Sequence, residues 1–111
     1  MKDAVLMRLA TTIRERRAAG ADKSYTRQLL DGGPKRCAKK LGEEATETVI
    51  AALSEDDDAF RGEAADLIYH LLVLLESRDI DIAEVLAVLE GRTGMSGLQE
   101  KASRRETADR T

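Results

Sequence analysis

Hydrophobic residues recur along most of this chain at the three- and four-residue spacing of amphipathic helices. Stretches rich in Gly, Asp and Ser interrupt this spacing, and the single proline, Pro34, falls where a helix would begin. The pattern predicts an all-α fold, a bundle of four to five helices. We expect helices over residues 2–19, from an Asp22 or Ser24 cap to Leu30, over 34–53, over 59–78, and from an Asp79 or Asp81 cap to about 92–94.

The third and fourth predicted helices carry the clearest apolar faces. In the third, we expect the interior to be lined by Leu41, Ala45, Thr48, Val49 and Ala52. The apolar band of the fourth helix is too wide for a single neighbour, so we expect that helix to pack on two sides. This band consists of Phe60, Ala64, Leu67, Ile68, Leu71, Leu72, Leu74 and Leu75.

Composition supports one small helical domain. The chain has 111 residues, of which 42% are hydrophobic, 35% charged and only 3% aromatic, a balance typical of helical proteins. The net charge of −3 provides no general attraction to nucleic acid or anionic lipid, so neither is expected as a partner. Because a domain of this size buries only about two thirds of its unfolded surface, we expect the bundle to be completed by homodimerisation.

We divide the chain into a helical domain at residues 1–94, a substrate-proximal tail at 95–104 and a polar end at 105–111 that we expect to be disordered. The single cysteine, Cys37, excludes an intrachain disulfide and is expected to be a small buried thiol in a reducing compartment. No signal-peptide core and no run of roughly 18 apolar residues is present. We therefore expect a cytoplasmic protein without a membrane partner.

Two pairs of acidic residues form the most informative polar feature. Glu44 and Glu47 lie three residues apart on the third predicted helix, and Glu63 and Asp66 do so on the fourth, so each pair forms one edge of its helix. Antiparallel contact between these helices would bring four carboxylates together beside the core, where they require a cation. Three of the four have no Lys or Arg three or four residues away, which is unusual for a solvated helix face. Glu43 adds a further like charge.

Spacing alone leaves two interpretations open. With 21 acidic residues in the chain, such pairs also arise by chance on an ordinary surface. If a metal binds, carboxylates without thiolate or imidazole favour Mg²⁺, with Mn²⁺ as the alternative, and Mg²⁺ in turn favours a small-molecule nucleotide polyphosphate. Lys40, one turn before Glu44, either contacts such a phosphate or pairs with Glu43 or Glu44. The only histidine, His70, is expected to be a hydrogen-bonded residue beside the core, or a support for the second acidic pair.

The acidic motif, EEATE at 43–47 followed by EAAD at 63–66, resembles the signature of the all-α nucleoside triphosphate pyrophosphatases, which include the MazG proteins and the dimeric dUTPases. The surrounding segments resemble the phosphoribosyl-ATP pyrophosphatase family of histidine biosynthesis over nearly the whole chain. These segments are SYTRQLLDGGPKRCAKKLGEEATETVIAAL, EAADLIYHLLVLL and RTGMSGLQEKASR. The resemblance implies hydrolysis of phosphoribosyl-ATP to phosphoribosyl-AMP and pyrophosphate, the second step of that pathway.

The resemblance also implies roles for single residues. The implied Mg²⁺ ligands are Glu44, Glu47, Glu63 and Asp66, with Glu43 completing the acidic cluster. Glu47 or Glu43 would polarise the attacking water, and the motif does not decide between them. The bound metal would bridge phosphate oxygens and offset charge on the pyrophosphate leaving group.

Substrate selection is expected outside the acidic motif. Ser24, Tyr25 and Thr26 offer three hydroxyls at the start of the short helix, although Ser24 also suits a helix cap and Tyr25 the edge of the core. In the tail, the candidate substrate contacts are Ser96, Lys101 and Arg104; the alternatives are a capping box for Ser96 and solvation for the two basic residues. Phosphoribosyl-ATP carries a ribose phosphate that ordinary nucleoside triphosphates lack. If the basic tail binds this phosphate, truncation after residue 94 should raise KM or abolish turnover.

Two other functions fit the same residues. A house-cleaning pyrophosphatase would use the same acidic pairs on noncanonical or pyrimidine triphosphates, and preference for dCTP or dUTP over phosphoribosyl-ATP would identify it. A non-catalytic helical dimerisation module would leave the acids in solvent. Absence of Mg²⁺ binding, and full activity of Glu44→Gln or Asp66→Asn, would favour that module.

Overall fold

The computed structural model describes residues 4–19 and 24–93, apart from the side chain of Ala19, and this part of the chain contains five helices and no strand. The all-α prediction is confirmed, and each predicted helix is present, with ends that differ by at most a few residues where they can be compared; the predicted start at residue 2 lies outside the described residues. The helices are α1 (Ala4–Ala19), α2 (Tyr25–Asp31), α3 (Gly33–Ser54), α4 (Asp57–Ser77) and α5 (Ile82–Gly91).

Side-chain caps fix where three of these helices begin. The Ser24 hydroxyl accepts a hydrogen bond from the Arg27 backbone N–H and starts α2, and the Asp56 carboxylate accepts one from Ala59 and starts α4. Asp81, rather than Asp79, starts α5 in a capping box with Glu84. Among the alternatives that the sequence left open, Ser24 and Asp81 are therefore the caps.

The turn between α2 and α3 depends on glycine. Gly33 has a φ of +78°, a conformation that other residues adopt only with strain, and Pro34 follows in the first turn of α3. The tight turn folds α2 back against α3. The start of α3 and one side of α2, with Tyr25 and Leu29, therefore line one cleft.

Helices α3 and α4 form an antiparallel hairpin that is the main helix contact of the fold. Helix α4 also packs against α1 and α2, which confirms the expectation that it packs on two sides. The buried core consists of Ile13, Leu29, Cys37, Leu72, Val73 and Ile82. Cys37 is free and buried as predicted; burial raises the pKa of its thiol, which donates to the Leu29 carbonyl oxygen.

The predicted inner face of α3 is partly wrong. Val49 is 58% exposed and Ala52 is exposed, whereas the buried residues of the helix are Cys37, Glu44 and Ala51. The helix is rotated about its own axis so that the line through Cys37, Glu44 and Ala51 faces the interior. Packing against α4 determines this rotation, and the apolar spacing along α3 does not reveal it.

A charged network fastens α1 to the end of α4. The Glu76 carboxylate is nearly buried and lies 3.5 Å from Arg14 Nε and 3.2 Å from Arg17 Nη1. Arg14 also contacts Asp81 at 3.1 Å, and Arg17 contacts Asp79 at 2.8 Å. These acidic partners raise the pKa of both guanidinium groups. The network holds three helices together at the end of the bundle where α5 begins.

None of the described helices combines the length and the apolar character that crossing a bilayer requires.

Candidate active site

Three carboxylates from two helices meet on the α3–α4 hairpin. Glu44 on α3, with Glu63 and Asp66 on α4, can each offer one oxygen atom such that all three oxygens lie within 4.8 Å of one another. Glu44 is buried at 6% exposure, Glu63 is half-buried and Asp66 is exposed. The cluster therefore opens to solvent on one side and rests on the protein core on the other.

Thr48 ties together the backbones that carry this cluster. Its hydroxyl lies 2.7 Å from the carbonyl oxygen of Glu44 in its own helix and 3.1 Å from the carbonyl oxygen of Glu63 in α4. The contact holds the two helices in one register, which is the register that brings their acidic residues together.

Glu63 carries the strongest sign that a cation belongs here. Its Oε2 atom is shielded from solvent and has no hydrogen-bond partner within the described residues. Loss of hydration raises the pKa of this carboxyl, and its acidic neighbours, Glu47 foremost, raise it further. A divalent cation would satisfy the unpartnered oxygen and remove the repulsion. The residues present therefore fit a metal ion bound through oxygen ligands.

Glu47 and Glu43 lie at the margin of the cluster. Glu47 is exposed, and its charge acts on Glu63, but it is not one of the three residues whose oxygens lie within 4.8 Å. Glu43 is also exposed, and its Oε2 lies 3.5 Å from Lys40 Nζ. Of the four implied ligands, the fold thus brings three together and leaves Glu47 beside them.

Lys40 is paired with acidic residues in this structure. Its Nζ lies 3.4 Å from Glu44 Oε1, in addition to its contact with Glu43. The ion pair that the sequence offered as one alternative is therefore formed. Lys40 is also the residue at which the acidic cluster meets the neighbouring cleft.

His70 supports the cluster from the core side. The residue is 5% exposed, and its ring meets the rings of Tyr25 and Tyr69 edge to face, with centroid distances of 6.0 Å and 5.0 Å. Its Nε2 lies 3.9 Å from Glu44 Oε1, and the expected hydrogen bond to His70 is not formed in the described part of the chain. Burial lowers the pKa of His70, so the ring is neutral near pH 7.

Tyr69 is a supporting residue that sequence reasoning missed. Its hydroxyl hydrogen bonds with Thr26, which is fully buried. Thr26 therefore does not line the cleft and instead holds the ring that packs on His70. The available signal was spacing, because Tyr69 follows Asp66 by three residues and so shares its helix edge.

A cleft of about 620 Å³ lies between α2 and the start of α3, next to the acidic cluster. Tyr25 lines it and is 49% exposed, whereas Ser24 serves as the cap of α2. Much of the remaining wall is basic, and the sequence analysis missed three of these residues, Lys35, Arg36 and Lys39. Their spacing was the available signal, because positions i, i+1 and i+4 share one side of a helix. The predicted tail contacts Ser96, Lys101 and Arg104 lie outside the described residues.

Comparison with known proteins identifies the family. Residues 6–93 match the family model described as phosphoribosyl-ATP pyrophosphohydrolase. The chain is 60% identical to "Phosphoribosyl-ATP pyrophosphatase 1" of Bradyrhizobium diazoefficiens, over 88% of this chain and 92% of the relative. It is 52% identical to "Phosphoribosyl-ATP pyrophosphatase" of Cereibacter sphaeroides strain KD131, over 90% of this chain and 97% of the relative. The chain therefore belongs to the phosphoribosyl-ATP pyrophosphohydrolase family.

Proposed function

We propose that this protein hydrolyses phosphoribosyl-ATP to phosphoribosyl-AMP and pyrophosphate in histidine biosynthesis, using a divalent cation. One observation carries the proposal: oxygens of Glu44, Glu63 and Asp66 lie within 4.8 Å of one another, with a buried, unpartnered oxygen on Glu63. Such a group suits metal-assisted phosphoanhydride chemistry. The names of the relatives support the substrate.

The donor set favours Mg²⁺, with Mn²⁺ as the alternative, because it contains oxygen atoms only. Glu44, Glu63 and Asp66 would hold the ion. When bound, it would neutralise charge on phosphate oxygens of the substrate and on the departing pyrophosphate. The hairpin's contribution is to hold the carboxylates in place, with Thr48 and the buried His70 ring behind them.

Glu47 is the better candidate for accepting the proton of the attacking water. Water oxygen bonds to phosphorus, the bond to the pyrophosphate oxygen breaks, and the released proton needs an acceptor at the edge of the cluster. Glu47 is exposed and lies beside Glu63, and no ion pair engages it within the described residues. Glu43 is held by Lys40. We therefore expect Glu47→Gln to reduce kcat far more than Glu43→Gln.

Lys40 is positioned to contact the substrate while it stays paired with Glu43. Its ammonium group lies 3.5 Å from Glu43 Oε2 and 3.4 Å from Glu44 Oε1. When a cation neutralises Glu44, the N–H group directed at that carboxylate can donate to a phosphate oxygen instead. Lys40→Met should then weaken substrate binding without removing the carboxylate ligands.

Homodimerisation forms part of the proposal. Large apolar side chains remain exposed on the two helices that carry the acidic cluster, and a second copy of the chain would cover them. They are Val49, Ile50 and Leu53 on α3, and Phe60, Ile68 and Leu71 on α4. Sedimentation should show a dimer for the wild type and a monomer for Leu53→Glu. The matched control is Leu89→Glu on α5, and a monomeric wild type would contradict this part.

A cytoplasmic location is also part of the proposal. The single cysteine is free and buried, which is common in proteins of reducing compartments, and nucleotide biosynthetic intermediates are available there. Fractionation of cells that produce the protein would test the location.

The deciding experiment is a pyrophosphate-release assay with phosphoribosyl-ATP, ATP, dCTP and dUTP, with Mg²⁺ and with a chelator. We expect phosphoribosyl-ATP to be preferred and activity to require the metal. Asp66→Asn should lose activity at least about 100-fold, whereas Glu15→Gln, an exposed acid on α1, should not. Preference for dCTP or dUTP would indicate a house-cleaning enzyme, and neither activity nor Mg²⁺ binding would indicate a helical dimerisation module.

A further inference from the structure

The cleft beside the acidic cluster has a strongly basic wall. Lys35, Arg36 and Lys39 line it, and none of the three forms an ion pair with any residue in 4–19 or 24–93. Lys40, the fourth cation of the wall, differs because it is paired with acidic residues. Three unpaired cations facing one concave surface create a local positive potential in a chain whose net charge is −3.

The backbone at the start of α3 adds to this potential. The cap residue Gly32 lines the cleft and offers no side-chain hydrogen bond to the helix, so the positive end of a 22-residue helix is left open. Arg36 folds against Gly32 so closely that a Cβ there would lie 2.2 Å from Arg36 Cδ and 2.8 Å from Arg36 Cβ. The glycine therefore permits the guanidinium stem to lie across the helix start and beside the cleft.

The basic wall is separate from the acidic cluster but continuous with it. Arg36 precedes Glu44 by eight residues, which corresponds to roughly 12 Å along the helix axis. Lys40 stands between the two, because it lines the cleft and contacts Glu44 of the cluster. Glu43 also lines the cleft and is paired with Lys40. A ligand with two anionic ends could thus contact both regions, with Tyr25 beside its middle.

We propose that this cleft binds a phosphate monoester of the substrate that is remote from the scissile phosphoanhydride, namely the 5′-phosphate of the phosphoribosyl group. The inference rests on the proposed function. An ordinary nucleoside triphosphate has one anionic end, whereas phosphoribosyl-ATP has a second on the far side of its base. Lys35, Arg36 and Lys39 are then the residues that select the phosphoribosyl nucleotide over ATP.

Kinetics of the double variant Lys35→Ala/Lys39→Ala tests the specificity. We expect its KM for phosphoribosyl-ATP to rise about tenfold or more, with little change in kcat and no matching rise in KM for ATP. Arg61→Ala removes an exposed cation elsewhere on the surface and serves as the matched control. An equal rise for both substrates would mean that the cleft takes the triphosphate, and would overturn the proposal.

A direct binding measurement tests the phosphate site independently of whether the protein hydrolyses phosphoribosyl-ATP. Ribose 5-phosphate is titrated into metal-free protein and followed by NMR, with ribose as the uncharged control and thermal melts to verify folding of each variant. Saturable binding to the wild type and to Arg61→Ala, lost in the double variant, supports the site even if no phosphoribosyl-ATP is hydrolysed. Equal binding to the wild type and the double variant, or none to the wild type, overturns it.

Discussion

The hydroxyl of Thr48 on α3 lies 3.1 Å from the carbonyl oxygen of Glu63 on α4, and it also lies 2.7 Å from the carbonyl oxygen of Glu44. One side chain therefore contacts the backbones of two residues whose carboxylates meet in the acidic cluster. The contact is partly buried and crosses between the two helices. The alignment of the cluster depends on this crossing point.

Thr48→Val should lower both stability and metal affinity. Valine keeps the shape of threonine and removes the hydroxyl, so the free energy of unfolding should fall by about 1 kcal/mol. Loosened helix register should also raise the Mg²⁺ concentration needed for half-maximal activity. Thr46→Val is the matched control, because among the described residues the Thr46 hydroxyl bonds only within its own helix, to Gly42. Equal effects of the two substitutions would contradict the assigned role.

Glu63→Gln should stabilise the metal-free protein while abolishing activity. The substitution removes a charge from a carboxyl with a buried, unpartnered oxygen and several acidic neighbours. Thermal melts in chelator should therefore show a higher midpoint than for the wild type. Added Mg²⁺ should raise the wild-type midpoint and leave that of Glu63→Gln unchanged. A lower midpoint for the variant in chelator would show that the charge of Glu63 does not destabilise the metal-free protein.

Glu76→Gln should destabilise the bundle by about 1 to 3 kcal/mol, because Glu76 is nearly buried and accepts charge-assisted contacts from Arg14 and Arg17. Urea unfolding measures the change. Asp58→Asn breaks an exposed pair with Arg61 and should change stability by less than about 0.5 kcal/mol. If the two substitutions have similar small effects, the network does not fasten α1.

Tyr69→Phe should lower the free energy of unfolding by about 1 to 3 kcal/mol, because it leaves the hydroxyl of the fully buried Thr26 without its partner. Tyr25→Phe removes a hydroxyl at the cleft surface and should be nearly neutral for stability. Adding Thr26→Val to Tyr69→Phe should recover part of the loss, since no buried hydroxyl then remains unpaired. Additive losses in the double variant would argue against the bond.

Acid should weaken the attachment of α5. The backbone N–H of Ala83 and the guanidinium of Arg14 lower the pKa of Asp81 below its ordinary 3.8. Because its pKa is lowered on folding, ionised Asp81 contributes to the free energy of unfolding. This contribution is complete above pH 3.8 and is lost as pH falls through the lower folded-state pKa. The stability difference between the wild type and Asp81→Asn should therefore be constant near pH 6 and shrink below pH 3.8. A difference independent of pH would contradict this.

Local rules predicted the helices because their causes lie close together in the sequence. The apolar period, the Ser24 and Asp81 caps and the Gly33-Pro34 turn each act within a few residues. The same holds for the acidic pairs, since spacing on a helix determines which side chains are neighbours. The resemblance to the family likewise lies in the acidic motif and the segments around it, which are features of local sequence.

The sequence by itself determined the five helices, two alternative caps each for α2 and α5, and the three-residue acidic pairs, since each follows from contacts within one or two helical turns. The tertiary structure decided how far each helix turns about its own axis. That rotation buries Glu44, leaves Glu47 at the margin and exposes Val49. The tertiary structure also forms the basic cleft, because α2 must fold back against α3 before Lys35 and Lys39 face a concave surface. Rotation and docking depend on packing between residues far apart in the chain, which no local spacing encodes.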